Sequence, residues 1–278
     1  RDVYKRQAQM MGPVLRRMSA MLYGAQLAQG LAELSTSTVT GSEIGLQVLS
    51  VPQVVILPTN IAAAWNDLDL DPRDVELYLV LRESARQRLF NAVSWLGPQL
   101  LALVEHYARE IRIDSSAIED AIDIDDLSQL TPEKAQEMSE RLRGRLFEPT
   151  RTPEQDGVLQ RLETLLALIE GWVDEVTFQV ARTWLPSHDQ LAEAVRRRRA
   201  TSGPAEVFFQ SLLGLELRPR RVRDAVNLWA ALREARGTVG RDHVWNHPDL
   251  VPTAADLDDP LGYVSGDRQD PSELSLIH

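Results

Sequence analysis

Leu81-Arg82-Glu83-Ser84-Ala85-Arg86-Gln87-Arg88-Leu89-Phe90 places two arginines four residues apart with a glutamate directly after the first. Ten residues upstream, Asp71-Pro72-Arg73-Asp74 is a strong helix start. Aspartate caps free N–H groups, proline fits the first helical position, and an acid in the first turn suits the helix dipole. The helix is expected to run past Phe90. At about 100° per residue, Val75, Leu79, Leu89 and Phe90 share one sector, and Arg82 and Arg86 project from its middle. Arginines in an apolar sector must reach solvent along their stems, meet buried carboxylates, or line a cleft.

The spacing of Arg82, Glu83 and Arg86 is that of H-E-x-x-H. In that motif two histidines one turn apart bind zinc, and the glutamate acts on the metal-bound water. Arginine keeps its proton and offers no lone pair, so it cannot take the histidine's part. On its own R-E-x-x-R is a common helix-surface pattern. A second feature gives it weight: the longest apolar period, Val158, Leu162, Leu165, Leu166, Ile169, Val173, Val176 and Val180, predicts a helix with Glu170 and Asp174 one turn apart on its flank.

These stretches occur in order with Gly24-Ala25-Gln26, Ile56-Leu57-Pro58-Thr59-Asn60, Glu170-Gly171-Trp172-Val173-Asp174, Gly214-Leu215-Glu216-Leu217-Arg218 and Trp245-Asn246-His247-Pro248-Asp249-Leu250. Together, from about Gly24 to Tyr263, they resemble the zincin-like hydrolases and zinc-dependent metalloproteases found mainly in actinobacteria. The resemblance implies a mainly α zincin-like fold with a small β element before the active-site helix. It implies zinc as family cofactor, ligand positions corresponding to Arg82, Arg86 and Glu170, and Glu83 as general base. With both histidines replaced, no metal and no cofactor are expected here. Arg82 and Arg86 are expected to pair with Glu170 and Asp174 as an ion-pair cluster.

Three functions are weighed. The first is a zincin-fold protein whose site has degenerated, leaving a non-catalytic role as a scaffold or as the binder of a peptide or protein partner. The second is an active metal-dependent peptidase or hydrolase using Glu83 with an atypical metal site, or with Arg86 as a non-zinc electrophile. The third is a purely structural helical protein, marked by the lack of a cleft between Arg86 and Glu170.

The flanks of these motifs carry less. Leu46 to Leu49 and Val54 to Leu57, separated by Pro52, are the strand candidates and predict a small sheet or hairpin after a Ser/Thr/Gly loop at Ser35 to Gly45. Further helices are expected over Pro13 to Leu34, Leu96 to Ile111, from Thr131, beyond Pro186 as far as Ser202, over Ala205 to Leu213, and over Arg220 to Glu234, with a Pro/Asp-rich tail after Pro248. His243 and His247 have an H-x-x-x-H spacing, but Pro248 disfavours helix at His247 and points to loop packing. His106 and His188 are isolated. Asp123-Ile124-Asp125-Asp126 lacks the glycine and terminal glutamate of a calcium loop. Arg196 to Arg199 read as a solvated helix end or a contact for an acidic partner.

Composition sets the remaining bounds. The 278 residues contain no cysteine, which excludes disulfides and thiolate metal sites, and the formal net charge of -11 argues against nucleic-acid binding. Apolar runs are broken by charges every few residues, so no membrane contact and a cytoplasmic location are expected. Residues 1–7 and 274–278 resemble translated adapter read-through and are taken as non-native. The expected domain is therefore a single one over residues 8–273, truncated at its N-terminus.

Overall fold

Asp71 caps its helix as its position predicts, with its side chain accepting from the Arg73 N–H at 2.9 Å. The structure, a computed structural model, describes residues 27–47, 53–109, 152–200 and 220–266, with Met21, Gly24, Ala25 and Val51. The expected helices from Thr131 and over 205–213, the acidic segment 114–126 and the 214–218 motif lie outside the described residues, as does half of the expected first helix. Two compact units are distinguished. One comprises residues 1–36, 111–150 and 207–216. Of it, residues 27–36 are helical, with Gln29 donating to Glu33 at 3.1 Å.

The other unit comprises residues 37–110, 151–206 and 217–278. Its helices are α1 (Pro58–Trp65), α2 (Pro72–Ala92), α3 (Leu96–Arg109), α4 (Pro153–Trp184), α5 (His188–Ala200) and α6 (Arg220–Asp242), followed by two short 3-10 turns and by α7 (Ala254–Asp258) and α8 (Pro260–Ser265). Long α4 is the spine, against which α2, α3, α5 and α6 all pack. Its start is fixed by Pro153 and by a capping box in which Thr152 and Gln155 satisfy each other's N–H groups. Among the described residues no helix is long and apolar enough to cross a membrane.

The apolar period of α4 is buried from Val158 to Val173, with Leu162, Ile169 and Val173 all at 0 % exposure, whereas Val176 is half-buried and Val180 is exposed. On one side Trp229 of α6 donates to the Leu168 carbonyl at 2.9 Å and stacks on Trp245 at 5.1 Å. On another side, Ile61 and Trp65 of α1, Val75, Tyr78 and Leu79 of α2, Ala181 of α4 and Leu191 and Val195 of α5 share one apolar cluster. The α2 sector thus turns inward, carrying Arg82 and Arg86 with it.

The expected small sheet or hairpin is corrected: no strand forms among the described residues. Ile56 instead makes an isolated antiparallel bridge with Thr40, framed by Gly41 N–H to Val55 O at 3.0 Å and Leu57 N–H to Val39 O at 2.9 Å. Pro58 opens α1 immediately after Leu57, so the β-branched run has no length left in which to extend a ladder. Its partner is the Ser/Thr/Gly loop, which the bridge holds against the rest of the unit.

The α6 helix runs beyond the expected Glu234. Gly237 interrupts it with φ 68°, a left-handed conformation that favours glycine, and helical structure resumes as far as Asp242. The Pro/Asp-rich tail then folds into capped short helices, with Thr253 and Asp256 forming a second capping box.

Candidate functional site

Helices α2 and α4 bring the sequence motifs into direct contact. Arg82 Nη2 donates to Glu170 Oε2 at 3.0 Å, while Arg82 Nη1 donates to Asp174 Oδ1. Arg86 Nε donates to Glu170 Oε1 at 3.0 Å, with Nη2 on the same oxygen, and Nη1 reaches Glu83 Oε2 at 3.2 Å. Both oxygens of Glu170 are therefore engaged by guanidinium groups from neighbouring turns of α2. Arg86 and Glu170 touch directly, with no cleft between them.

Three further residues complete the cluster. Arg199 of α5 donates to Asp174 Oδ1 at 2.6 Å and lies 3.9 Å from Glu170 Oε2. Ser42, from the bridged loop, places its hydroxyl 2.8 Å from both oxygens of Glu83, and Gln87 donates to Glu83 Oε1 at 2.9 Å. Glu83 is 0 % exposed. Arg82, Arg86 and Arg199 balance Glu83, Glu170 and Asp174 one for one, which is the condition under which so many charges can leave water.

The electrostatics reflect that balance. Burial favours the neutral acid at Glu170, but Arg86, Arg199 and Arg82 outweigh it and hold the carboxyl below its ordinary range. At Asp174 burial again opposes ionisation, and Arg199 and Arg82 prevail and hold its carboxyl well below the ordinary range. Burial pushes the neighbouring Tyr78 phenol up. The site is closed on the α2 side and grazed by solvent only at Glu170, Asp174 and Arg199, whose side chains are 14 %, 14 % and 21 % exposed.

Ser42 and Arg199 are not marked out by the sequence motifs. Ser42 lies in a loop of small polar residues with no period to single it out. Arg199 does carry a signal: Leu191, Val195, Arg198 and Arg199 fall on one helical face, so the run divides by orientation. Arg196 and Arg197 turn outward to Glu193 at 3.1 and 2.9 Å. Arg198 turns inward, donating to Glu43 at 3.2 Å and to the Ser37 carbonyl, with its guanidinium 5.2 Å from the Trp65 ring centre.

The histidines gather no metal set. His247 is extended, at φ -145° and ψ 142°, and accepts from the Asp249 N–H at 3.2 Å, while His243 opens a 3-10 turn. His188 packs on Phe178, and His106 lies 3.2 Å from Glu154. Among the described residues no three His, Asp or Glu side chains are arranged to hold a metal ion.

A search of curated proteins finds no match for the chain. Among solved structures, a protein from Chloroflexus aurantiacus, titled a "putative hydrolase with a novel fold", aligns over 95% of this chain and 75% of its own, at 22% identity and a TM-score of 0.65. At that identity the likeness concerns the fold. The sequence profile of the zincin-like metallopeptidases matches residues 3–264, spanning the R-E-x-x-R helix, the E-G-x-x-D helix and the Trp245 turn alike, and the chain belongs to that family.

Proposed function

We propose that this chain is a zincin-like protein in which a guanidinium–carboxylate cluster replaces the zinc site, leaving a non-catalytic binding or scaffold role. The observation that carries the reading is the grip of Arg82 and Arg86 on both oxygens of Glu170. These are the positions that resemble the family's ligands, and the donor set does not fit zinc. A guanidinium has no lone pair to give and stays charged, and Glu170 already accepts from two of them. In charge, the exchange is even: two fixed cations stand where a dication and two neutral imidazoles would.

The state of Glu83 counts against the active-hydrolase alternative. Its carboxylate is fully buried and directed at Ser42, Gln87 and Arg86, so neither oxygen faces solvent to take a proton from water. The direct Arg86–Glu170 contact favours a structural role for the cluster itself, which places any binding on another surface.

Metal analysis of protein equilibrated with zinc and then freed of excess, alongside hydrolysis of a mixed peptide library, tests this reading. The expected result is no stoichiometric zinc, and no hydrolysis above that of Glu83→Gln. Stoichiometric zinc that disappears in Glu170→Ala would overturn it.

A further inference from the structure

Between α5 and the turn joining α1 to α2 lies an open groove of about 750 Å³. The turn reads Asp67-Leu68-Asp69-Leu70, alternating acidic and apolar residues. Leu70 packs into the core, while Leu68 remains 42% exposed beside the groove. Asp189, Glu193, Ala194, Arg197 and Arg198 of α5 line it as well, together with Trp65.

The carboxylates here differ in their partners. Glu193 is engaged by Arg197 and Arg196, whose hydrogen bonds hold its carboxyl below the usual range. Asp67 and Asp69 are exposed and form no ion pair among the described residues, and Asp189 has only the His188 ring at 3.5 Å. Among the described residues these acids do not gather as a metal-ligating set, so one small cation cannot serve them all. Each calls for a cation of its own. Arg197 and Arg198 line the groove too, but they are engaged by Glu193 and Glu43, so the charge left over at Asp67, Asp69 and Asp189 is acidic. An excess of one sign beside apolar walls concentrates oppositely charged ligands and rewards burial of an apolar side chain.

We propose that this groove binds an extended basic polypeptide segment, with Lys or Arg side chains at Asp67, Asp69 and Asp189 and an apolar side chain against Leu68 and Trp65. The proposal rests on the non-catalytic binding role and gives it a partner chemistry. The groove adjoins the buried cluster through α5, since Arg198 lines the groove and Arg199 holds Asp174.

A fluorescein-labelled Lys-Leu-Lys-Leu-Lys peptide, titrated with the full chain and followed by anisotropy, tests it. Saturable binding is expected. It should weaken about tenfold in Asp67→Asn/Asp69→Asn/Asp189→Asn, the summed effect of three exposed ion pairs, and fall with added salt. The Glu-Leu-Glu-Leu-Glu peptide should not bind. All three substituted positions are exposed, and thermal melting verifies that the variant folds. Absence of saturable binding, or equal binding by the variant, would overturn the proposal. So would self-association abolished by the same variant, which names a second copy as the occupant. Failed peptide binding by zinc-free, inactive protein removes the groove alone; stoichiometric zinc with peptide binding intact removes the reading of the site alone.

Discussion

The Arg86 guanidinium is shared between Glu83, one turn back on its own helix, and Glu170 across the helix interface. Arg86 is 2% exposed, so its removal strands two carboxylates where water scarcely reaches. Arg86→Ala is expected to destabilise the protein by about 3–5 kcal/mol, lowering the melting temperature by roughly 10 °C. Arg109→Ala is the control, since Arg109 pairs with Glu105 on an exposed helix surface and should melt with the parent. Equal melting of Arg86→Ala and the parent would remove the buried cluster as a source of stability. This inward placement is legible in sequence because a 3.6-residue period fixes which face an arginine shares. Ser42 is not, since a hydroxyl in an irregular loop is brought to Glu83 by tertiary folding alone.

At the scale of elements, the contact between α4 and α6 depends on one missing side chain. A Cβ at Gly171 would meet the Ala225 Cβ at 2.6 Å and the backbone of Ala225 and Val226 at 2.9 Å. Backbone cannot swing aside as a side-chain tip can, so the helices would have to separate. Gly171→Ala should lose about 1–3 kcal/mol through overpacking, against the gain of about 1 kcal/mol that alanine brings to an exposed helix. A net loss in chemical denaturation, with helical content retained, is expected; a net gain would show that the crossing yields. The helices themselves are readable because Asp71-Pro72 carries a start signal and α4 keeps its buried period from Val158 to Val173. The expected sheet fails for a local reason. Val54 to Leu57 has strand composition, but pairing needs length on both partners, and Pro58 turns the chain into α1.

At the scale of the whole molecule, the chain joins an acidic surface to buried acids that must remain charged. A second network, in which Glu175 at 3% exposure is held by Arg233 and Arg241, repeats the pattern along α4 and α6. As pH falls from 8 towards the isoelectric point near 5.0, surface repulsion relaxes, so the surface gives no reason for stability to drop there. The buried acids behave differently. Glu170 and Asp174 titrate in the fold below their ordinary values of 4.5 and 3.8, so the folded state takes up protons less readily than the unfolded chain. Their contribution is complete above those ordinary values and is lost as pH falls through the lowered folded ones. Melting temperature should therefore be nearly level from pH 8 to about 5 and fall steeply below about 4. Net positive charge also grows in that range, and Asp174→Asn separates the two causes because it leaves the surface unchanged. The variant is expected to melt well below the parent at neutral pH, having left Arg82 and Arg199 short of a counter-charge. In acid the two curves should converge, since the parent's own Asp174 is being neutralised. Melts recorded in parallel at stepped pH measure the difference directly. A gap that stays constant into acid would mean that Asp174 stabilises the fold by shape and hydrogen bonding rather than by its charge.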